Sequence, residues 1–237
     1  RKQPSPEDIV SRLAHIVNRD DKSRRILVMI GGTEAPIDDV RTVSNHSTGR
    51  TGWSIADYLY RQGHDVFVLA AKISFEPRTI CFPVFRSMSP NLMKETTKQM
   101  IENEIMKIDS VVCAAAISDF VVSDSKSGKI ESGYEVSVNL SPFEKILDQI
   151  PQWLKLSRGD KTGHVIGFKL LANSNRDELV NAARSQIDRV GVTAVVANDS
   201  TQLNGDGPRA LWVTTTSVEE LVNVNNIAEK IDLIMKN

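Results

Sequence analysis

Residues 25–52 read RILVMIGGTEAPIDDVRTVSNHSTGRTG, and this stretch decides the fold. Ile26-Leu27-Val28-Met29-Ile30 is a short, unbroken β-branched and apolar run, the pattern of a strand buried on both faces rather than one. Gly31-Gly32-Thr33 follows and lets backbone approach a ligand closely, while Ser47-Thr48-Gly49 can open a helix whose free N–H groups and dipole favour negative charge. The segment therefore reads as an anion-binding strand-to-helix connection. An ordinary dinucleotide fingerprint sets its glycines directly between strand and helix. Here Glu34 to Asn45 intervene and bring Arg41, Asn45 and His46 to the same place. That insert implies a phosphorylated substrate with further polar groups to be read.

Outward from this stretch, strand and helix patterns alternate. Ahead of it, residues 1–24 are polar and form a linker with a short helix, capped at Pro4-Ser5-Pro6-Glu7-Asp8 and carrying Ile9, Val10, Leu13, Ile16 and Val17. After it come a helix from Gly49 to Arg61, a strand from Asp65 to Ala71, an apolar segment from Thr79 to Phe85 and a helix from Pro90 to Lys107. A strand from Ser110 to Ala115 leads into Ser118-Asp119-Phe120 and a polar, mobile segment, Ser123 to Gly128. Tyr134 to Leu140 alternates as an edge strand. Then follow a helix (Ser141 to Leu156), a strand (His164 to Leu171), a helix (Arg176 to Arg189), strands at Thr193 to Val196 and Ala210 to Thr215, and a last helix bearing Val224, Ile227, Ile231 and Ile234. The expectation is an α/β, Rossmann-like three-layer fold with a mostly parallel sheet over residues 25–237, and ligands beyond the carboxyl ends of its strands.

A chain of 237 residues fits one such domain, and its net charge of −1 exerts no general pull on nucleic acid or an anionic membrane. Any phosphate site must be local. The two cysteines, Cys81 and Cys113, lie in apolar runs without metal-ligand spacing, which fits a reduced intracellular protein with no reactive thiol. No apolar run has transmembrane length and no signal-peptide pattern is present, so a cytoplasmic protein is expected. The first residue is Arg1 rather than Met, as in a processed product or a piece of a longer polypeptide.

Each polar cluster falls just after a strand: Thr33, Asn45 and His46; Ser118 and Asp119; Lys169; Asn198 and Asp199. Parallel strands would gather them on one rim, although polar residues are also ordinary in loops, and for Asn198 and Asp199 turn chemistry is an equal reading. At Ser47-Thr48-Gly49 simple capping competes with phosphate binding, and Arg41 nearby favours phosphate. His46 reads as structural or substrate-positioning rather than as a general base. Lys129 is either one more solvated lysine or a cation delivered by a closing loop. Ala114-Ala115-Ala116 serves tight packing or leaves room for a ligand, and Asp119 could hold a ribose hydroxyl, an amine or a metal.

Taken together and in this order, Gly31-Gly32-Thr33, Asp39-Val40-Arg41, Ser44 to Gly49, Ala115 to Phe120, Lys129-Ile130, Gly167-Phe168-Lys169 and Ala197-Asn198-Asp199 resemble the motifs of phosphopantothenate–cysteine ligases of coenzyme A biosynthesis. The resemblance implies attack of the 4'-phosphopantothenate carboxylate on a nucleoside triphosphate, release of pyrophosphate, and displacement of the nucleotide by the amine of L-cysteine. It implies catalytic roles for Asn45, at the acyl region, and for Asp119 and Lys129, at the nucleotide and its phosphates. Arg41, His46, Ser47, Thr48, Gly49, Ala115 and Ala116 would bind the phosphopantothenate. Gly31, Gly32, Thr33, Phe143, Lys145, Ile146, Phe168, Lys169, Arg184 and Asn198 would line the nucleotide site.

The same resemblance implies Mg2+ carried by the nucleotide, CTP in preference to ATP, and no flavin in this chain. Its partners would be a second copy in a homodimer, with Tyr134 to Leu140 or Ala210 to Thr215 as the exchanged strand element, and a flavin-dependent decarboxylase, fused or separate; no nucleic acid or membrane partner is expected. A nicotinamide oxidoreductase and a non-catalytic ligand-binding subunit are the competing readings. Against the first stand the glycine spacing and the lack of a Tyr-x-x-x-Lys pair, and against the second the presence of Asn45, Asp119 and Lys129.

Overall fold

The computed structural model describes residues 4–161, 163–202 and 209–237; the first three residues of the expected linker lie outside them. Strand β1 (Arg25–Ile30) is the spine. Its side chains alternate between two separate cores, which is why the run shows no polar residue at either parity. Ile26, Val28 and Ile30 pack with one set of helices, Leu27 and Met29 with the other, and all five are fully buried. The first set is α2 (Arg50–Arg61) and α6 (Val224–Met235), through Trp53, Ile55, Leu59, Ile227 and Ile231. The second is α3 (Pro90–Glu102), α4 (Ile150–Arg158) and α5 (Arg176–Val190), through Met93, Ile101, Leu154, Leu179 and Ile187. Burying each such side chain contributes on the order of 1.5–3 kcal/mol against exposure.

Strands β4 (Asp65–Ala70), β5 (Val84–Arg86), β6 (Ser110–Cys113), β9 (Val165–Leu171) and β10 (Ala194–Asp199) run parallel with β1. With β11 (Ala210–Val213) and β12 (Val218–Leu221) they form one sheet in the order β12-β11-β10-β9-β6-β1-β4-β5. The result is the expected Rossmann-like α/β/α architecture. Two small hairpins stand off the carboxyl rim: β2 (Glu34–Pro36) with β3 (Thr42–Ser44), and β7 (Phe120–Val122) with β8 (Leu140–Pro142). Helix α1 (Pro6–Asn18) has the expected capping box, between Ser5 and Asp8. It packs on α2: the His15 ring stacks on Tyr60 with centroids 4.2 Å apart, and Arg19 grips Asp65 with both guanidinium nitrogens at 2.5 and 2.9 Å.

Several boundaries differ from the sequence expectation. Tyr134 to Asn139 form no strand, and Tyr134 and Val136 stay exposed; of the expected strand only Leu140 is paired, with Val122 in the β7–β8 hairpin. Ala210 to Val213 is no appendage; it pairs antiparallel with β10 inside the main sheet, with Trp212 1% exposed. The helix expected from Ser141 splits into β8, a 3-10 turn at Ile146–Asp148 and α4, because Pro151, which has no N–H to give, fits only a first helical turn. Helix α3 stops at Glu102, where the Asn103 side chain takes the N–H groups of Ile105 and Met106, both at 2.9 Å.

Candidate active site

At the rim, the two glycines after β1 serve the protein's own backbone. Gly32 and Lys72 exchange N–H···O bonds of 2.9 and 3.1 Å, Thr33 N–H donates to Ala116 O at 3.2 Å, and Ala116 N–H donates to Gly31 O at 2.7 Å. A Cβ at Gly31 would lie 2.5 Å from Lys72 O, and one at Gly32 would lie 2.4 Å from Asn45 O. The glycines thus extend the spine and let the returning insert cross it. With the N–H groups of Gly32 and Thr33 given to the protein's own backbone, neither is left to cradle a phosphate. The Thr33 hydroxyl instead accepts Ser118 N–H at 2.9 Å, fixing the segment that leads to Asp119.

The insert brings Asn45 to the centre of the rim, where its Nδ2 donates to Ala116 O at 3.2 Å while the residue stays exposed. Ala115 and Ala116 are half-buried beside it. On one side lies the start of α2. Gly49 is its N-cap in the left-handed region (φ 79°) and supplies no side-chain cap, so Ser47 and Thr48 do not cap the helix in the usual way. Thr48 Oγ1 reaches only Arg50 N–H, at 3.4 Å. A Cβ at Gly49 would meet Ile73 Cγ2 at 2.7 Å and one at Gly52 would meet Ile30 Cγ2 at 2.2 Å, so only glycine seats this first turn so low on the sheet. Arg50 lies over the Phe75 ring, 4.8 Å from its centroid, and Arg209 donates to Thr51 Oγ1 at 3.4 Å. Neither arginine was singled out from the sequence; Arg50 is adjacent to the motif, whereas Arg209 is brought in by the fold. His46 is exposed, with no hydrogen bond from its ring among the described residues.

Arg41 is not aimed at the helix start. Its Nη1 pairs with Asp38 at 2.5 Å and donates to Ile130 O at 3.2 Å. Hydrogen bonds from the N–H groups of Ile130, Val40 and Arg41, with the guanidinium beside it, hold the Asp38 carboxyl down at about 2 despite its burial. The segment Ser123 to Gly128, expected to be unanchored, is tied by Lys126 N–H to Ile37 O at 3.0 Å and by Gly128 N–H to Asp39 Oδ2 at 2.7 Å. Lys129 itself is exposed between these ties.

On the other side of Asn45, Asp119 pairs with Lys145 Nζ at 3.2 Å, and its carbonyl accepts Phe143 N–H at 2.8 Å. Lys94 pairs with Glu144, which also accepts Gln149 Nε2–H at 2.7 Å. Ile146 is 1% exposed, and its side chain packs in the core. Phe168 packs towards the α2–α6 core whereas Phe143 packs towards the α3–α5 core, so the two rings face opposite sides of the sheet. By strand alternation Asn198 shares the face of Phe168, and Lys169 takes the other. Asp199 is 3% exposed and holds the Ser174 and Thr201 N–H groups and the Thr201 hydroxyl, which keeps its carboxyl below the ordinary range. Turn chemistry accounts for it. Arg184 lies on the exposed face of α5, two turns into the helix from its N-terminal end.

The rim thus places a side-chain amide between the start of α2 and a segment bearing Asp119, Lys129 and Lys145. Among the described residues no group of three or more His, Cys, Asp and Glu could hold a metal ion, and no helix is long and apolar enough to cross a membrane. Cys81 and Cys113 are free, and burial pushes the Cys113 thiol up to about 12.

Comparison with known proteins places the chain among relatives of known name. The bifunctional coenzyme A biosynthesis protein CoaBC of Thermococcus kodakarensis is 34% identical over 203 residues, 83% of this chain and 47% of its own length. That of Methanocaldococcus jannaschii is 29% identical, over 97% of this chain and 56% of its own. The chain therefore spans about half the length of these relatives. Among solved structures, the DNA/pantothenate metabolism flavoprotein from Streptococcus pneumoniae superposes with a TM-score of 0.76 at 26% identity, covering 88% of this chain and 96% of that one. The model of the DNA/pantothenate metabolism flavoprotein C-terminal domain matches residues 22–232. The chain belongs to that family.

Proposed function

We propose that this domain joins 4'-phosphopantothenate to L-cysteine, with CTP as the activating nucleotide, in coenzyme A biosynthesis. Its relatives are named as bifunctional proteins of that pathway. The observation that carries the reading is Asn45, held on Ala116 between the α2 start and the Asp119–Lys145 pair. Such a rim suits a substrate with phosphate at one end and a carboxylate at the other, meeting a polyphosphate.

A carboxylate is a poor acyl donor because its leaving group would be oxide. Attack of a carboxylate oxygen on the α-phosphorus breaks the α–β bridge, releases pyrophosphate and leaves a mixed anhydride. The cysteine amine then adds to the acyl carbon, loses a proton and expels the nucleoside monophosphate, a stable leaving group. In this scheme the α2 start receives the pantothenate phosphate. Asn45 donates to the acyl oxygen as charge develops, an uncharged donor where a carboxylate would repel; one preorganised donor of this kind is worth about 3–4 kcal/mol of barrier. Asp119 contacts the nucleotide, and Lys129 meets its phosphates. Mg2+ arrives as the counterion of the triphosphate, neutralising its charge so that a carboxylate can approach. Arg41 acts through Asp38 and Ile130 rather than as a phosphate ligand.

A homodimer, in which the exposed Phe120, Tyr134, Val136 and Leu140 meet a second copy, and a flavin-dependent decarboxylase partner complete the proposal. The test is incubation with 4'-phosphopantothenate, Mg2+ and CTP or ATP in parallel, with and without cysteine, following pyrophosphate and product mass. Cysteine-dependent amide with CTP supports the proposal; no pyrophosphate with either nucleotide overturns it, and turnover with ATP alone overturns the nucleotide choice.

A further inference from the structure

We propose that Asp38 is the positioning residue for Lys129, latching the segment that carries this lysine onto the hairpin that carries Asn45. The inference rests on the proposed role of Lys129 at the triphosphate. Asp38 lies in the turn between β2 and β3, with its side chain fully buried. Each carboxylate oxygen takes two donors. Oδ1 accepts Val40 N–H at 2.8 Å and Arg41 N–H at 2.6 Å, which shapes the turn. Oδ2 accepts Arg41 Nη1 at 2.5 Å and Ile130 N–H at 3.0 Å, the latter 92 residues away.

Arg41 in turn donates from Nη1 and Nη2 to Ile130 O at 3.2 and 3.3 Å. Both backbone groups of the residue after Lys129 are thereby held by one ion pair. On its other side, Gly128 exchanges with Asp39, giving its N–H to Oδ2 at 2.7 Å and taking Asp39 N–H at 3.3 Å. Lys126 N–H reaches Ile37 O. Among the described residues, every hydrogen bond from 125–138 to the rest of the chain goes to 37–41. Alternate residues 126, 128 and 130 are pinned, and Lys129 is left exposed between the pins.

A carboxylate is the group that does this. It accepts four donors without offering one, whereas an amide at the same place would turn an N–H towards Ile130 N–H or the guanidinium. The arrangement also fixes Lys129 relative to Asn45, which follows β3 directly. The acyl side and the nucleotide side of the site would then move as one body, which in-line attack requires.

The experiment compares wild type, Asp38→Asn and Asp39→Ala by amide exchange of residues 126–131 in the ligand-free protein, alongside pyrophosphate release. Asp39→Ala removes an exposed pin and serves if Asp38→Asn does not fold. The expected result is exchange faster by roughly tenfold or more in 126–131 with core strands unchanged, a raised KM for nucleotide and a lowered kcat, and a KM for 4'-phosphopantothenate close to wild type. In a cycle with Lys129→Gln, the double variant should be no slower than the slower single. Unchanged exchange at 126–131 overturns the latch. Faster exchange with independent, multiplicative losses in the cycle overturns its action through Lys129. Absence of pyrophosphate release from wild type itself refutes the proposed function, and the latch then stands or falls on the exchange result.

Discussion

Replacing Gly32 by Ala should separate the rim from the fold that carries it. Gly32 is not among the glycines with positive φ, so alanine's backbone is acceptable there and the effect is steric. Its Cβ would fall 2.4 Å from Asn45 O. Carbon and carbonyl oxygen approach no closer than about 3.3 Å even in favourable contacts, so the Asn45 backbone must retreat by roughly 1 Å. The neighbour is main chain and cannot swing aside. The bond from Asn45 Nδ2 to Ala116 O is already 3.2 Å long and would not survive this. Misplacing a reacting or stabilising group by about 1 Å costs on the order of 100-fold in rate, equivalent to about 2.7 kcal/mol of barrier. Overpacking itself should cost about 1–3 kcal/mol of stability. Pyrophosphate release at saturating substrates and thermal unfolding measure the two. A folded Gly32→Ala protein with near wild-type pyrophosphate release would refute the claim that Asn45, held by Gly32, is part of the machinery.

Asn45→Asp should keep the fold and slow activation by about 100-fold or more, because it sets a negative charge beside substrate carboxylate and phosphate; Lys129→Gln should slow the same step, and single-turnover pyrophosphate bursts check both. Asp65 is held below the ordinary carboxylate range first by its hydrogen bond from Arg19, so the stability it contributes is present above that range and is lost as pH falls through its lowered value; denaturant midpoints across acid pH should fall more steeply in wild type than in Asp65→Asn. Cys113, pushed up to about 12 by burial, should resist alkylation at pH 8 in the native protein while reacting fully in denaturant, a contrast that mass spectrometry of labelled peptides reads directly.

The spine and its helices were legible because their signals are local. Five apolar residues ending in glycine define β1, and the 3.6-residue spacing of Trp53, Ala56 and Tyr60 defines the buried face of α2. What the glycines approach was not legible. Gly31 and Gly32 permit a close contact in either case, and only the fold reveals the Lys72 and Asn45 backbone beside them. Arg41 reads as a free cation until Asp38 and Ile130 close around it, since a contact across 92 residues leaves no trace in spacing. Tyr134 to Asn139 has the period of a strand but no strand partner among the described residues, and alternation alone cannot supply one. Ile146 matched a motif position, yet its side chain is committed to the core.

The most direct test of the central claim follows oxygen. With 4'-phosphopantothenate carrying 18O in its carboxylate, and with Mg2+, CTP and cysteine, attack on the α-phosphorus should deliver one 18O to the released nucleoside monophosphate and none to pyrophosphate. Label in inorganic phosphate, with a nucleoside diphosphate as co-product, would mean activation at the γ-phosphorus and would contradict the acyl-nucleotide account.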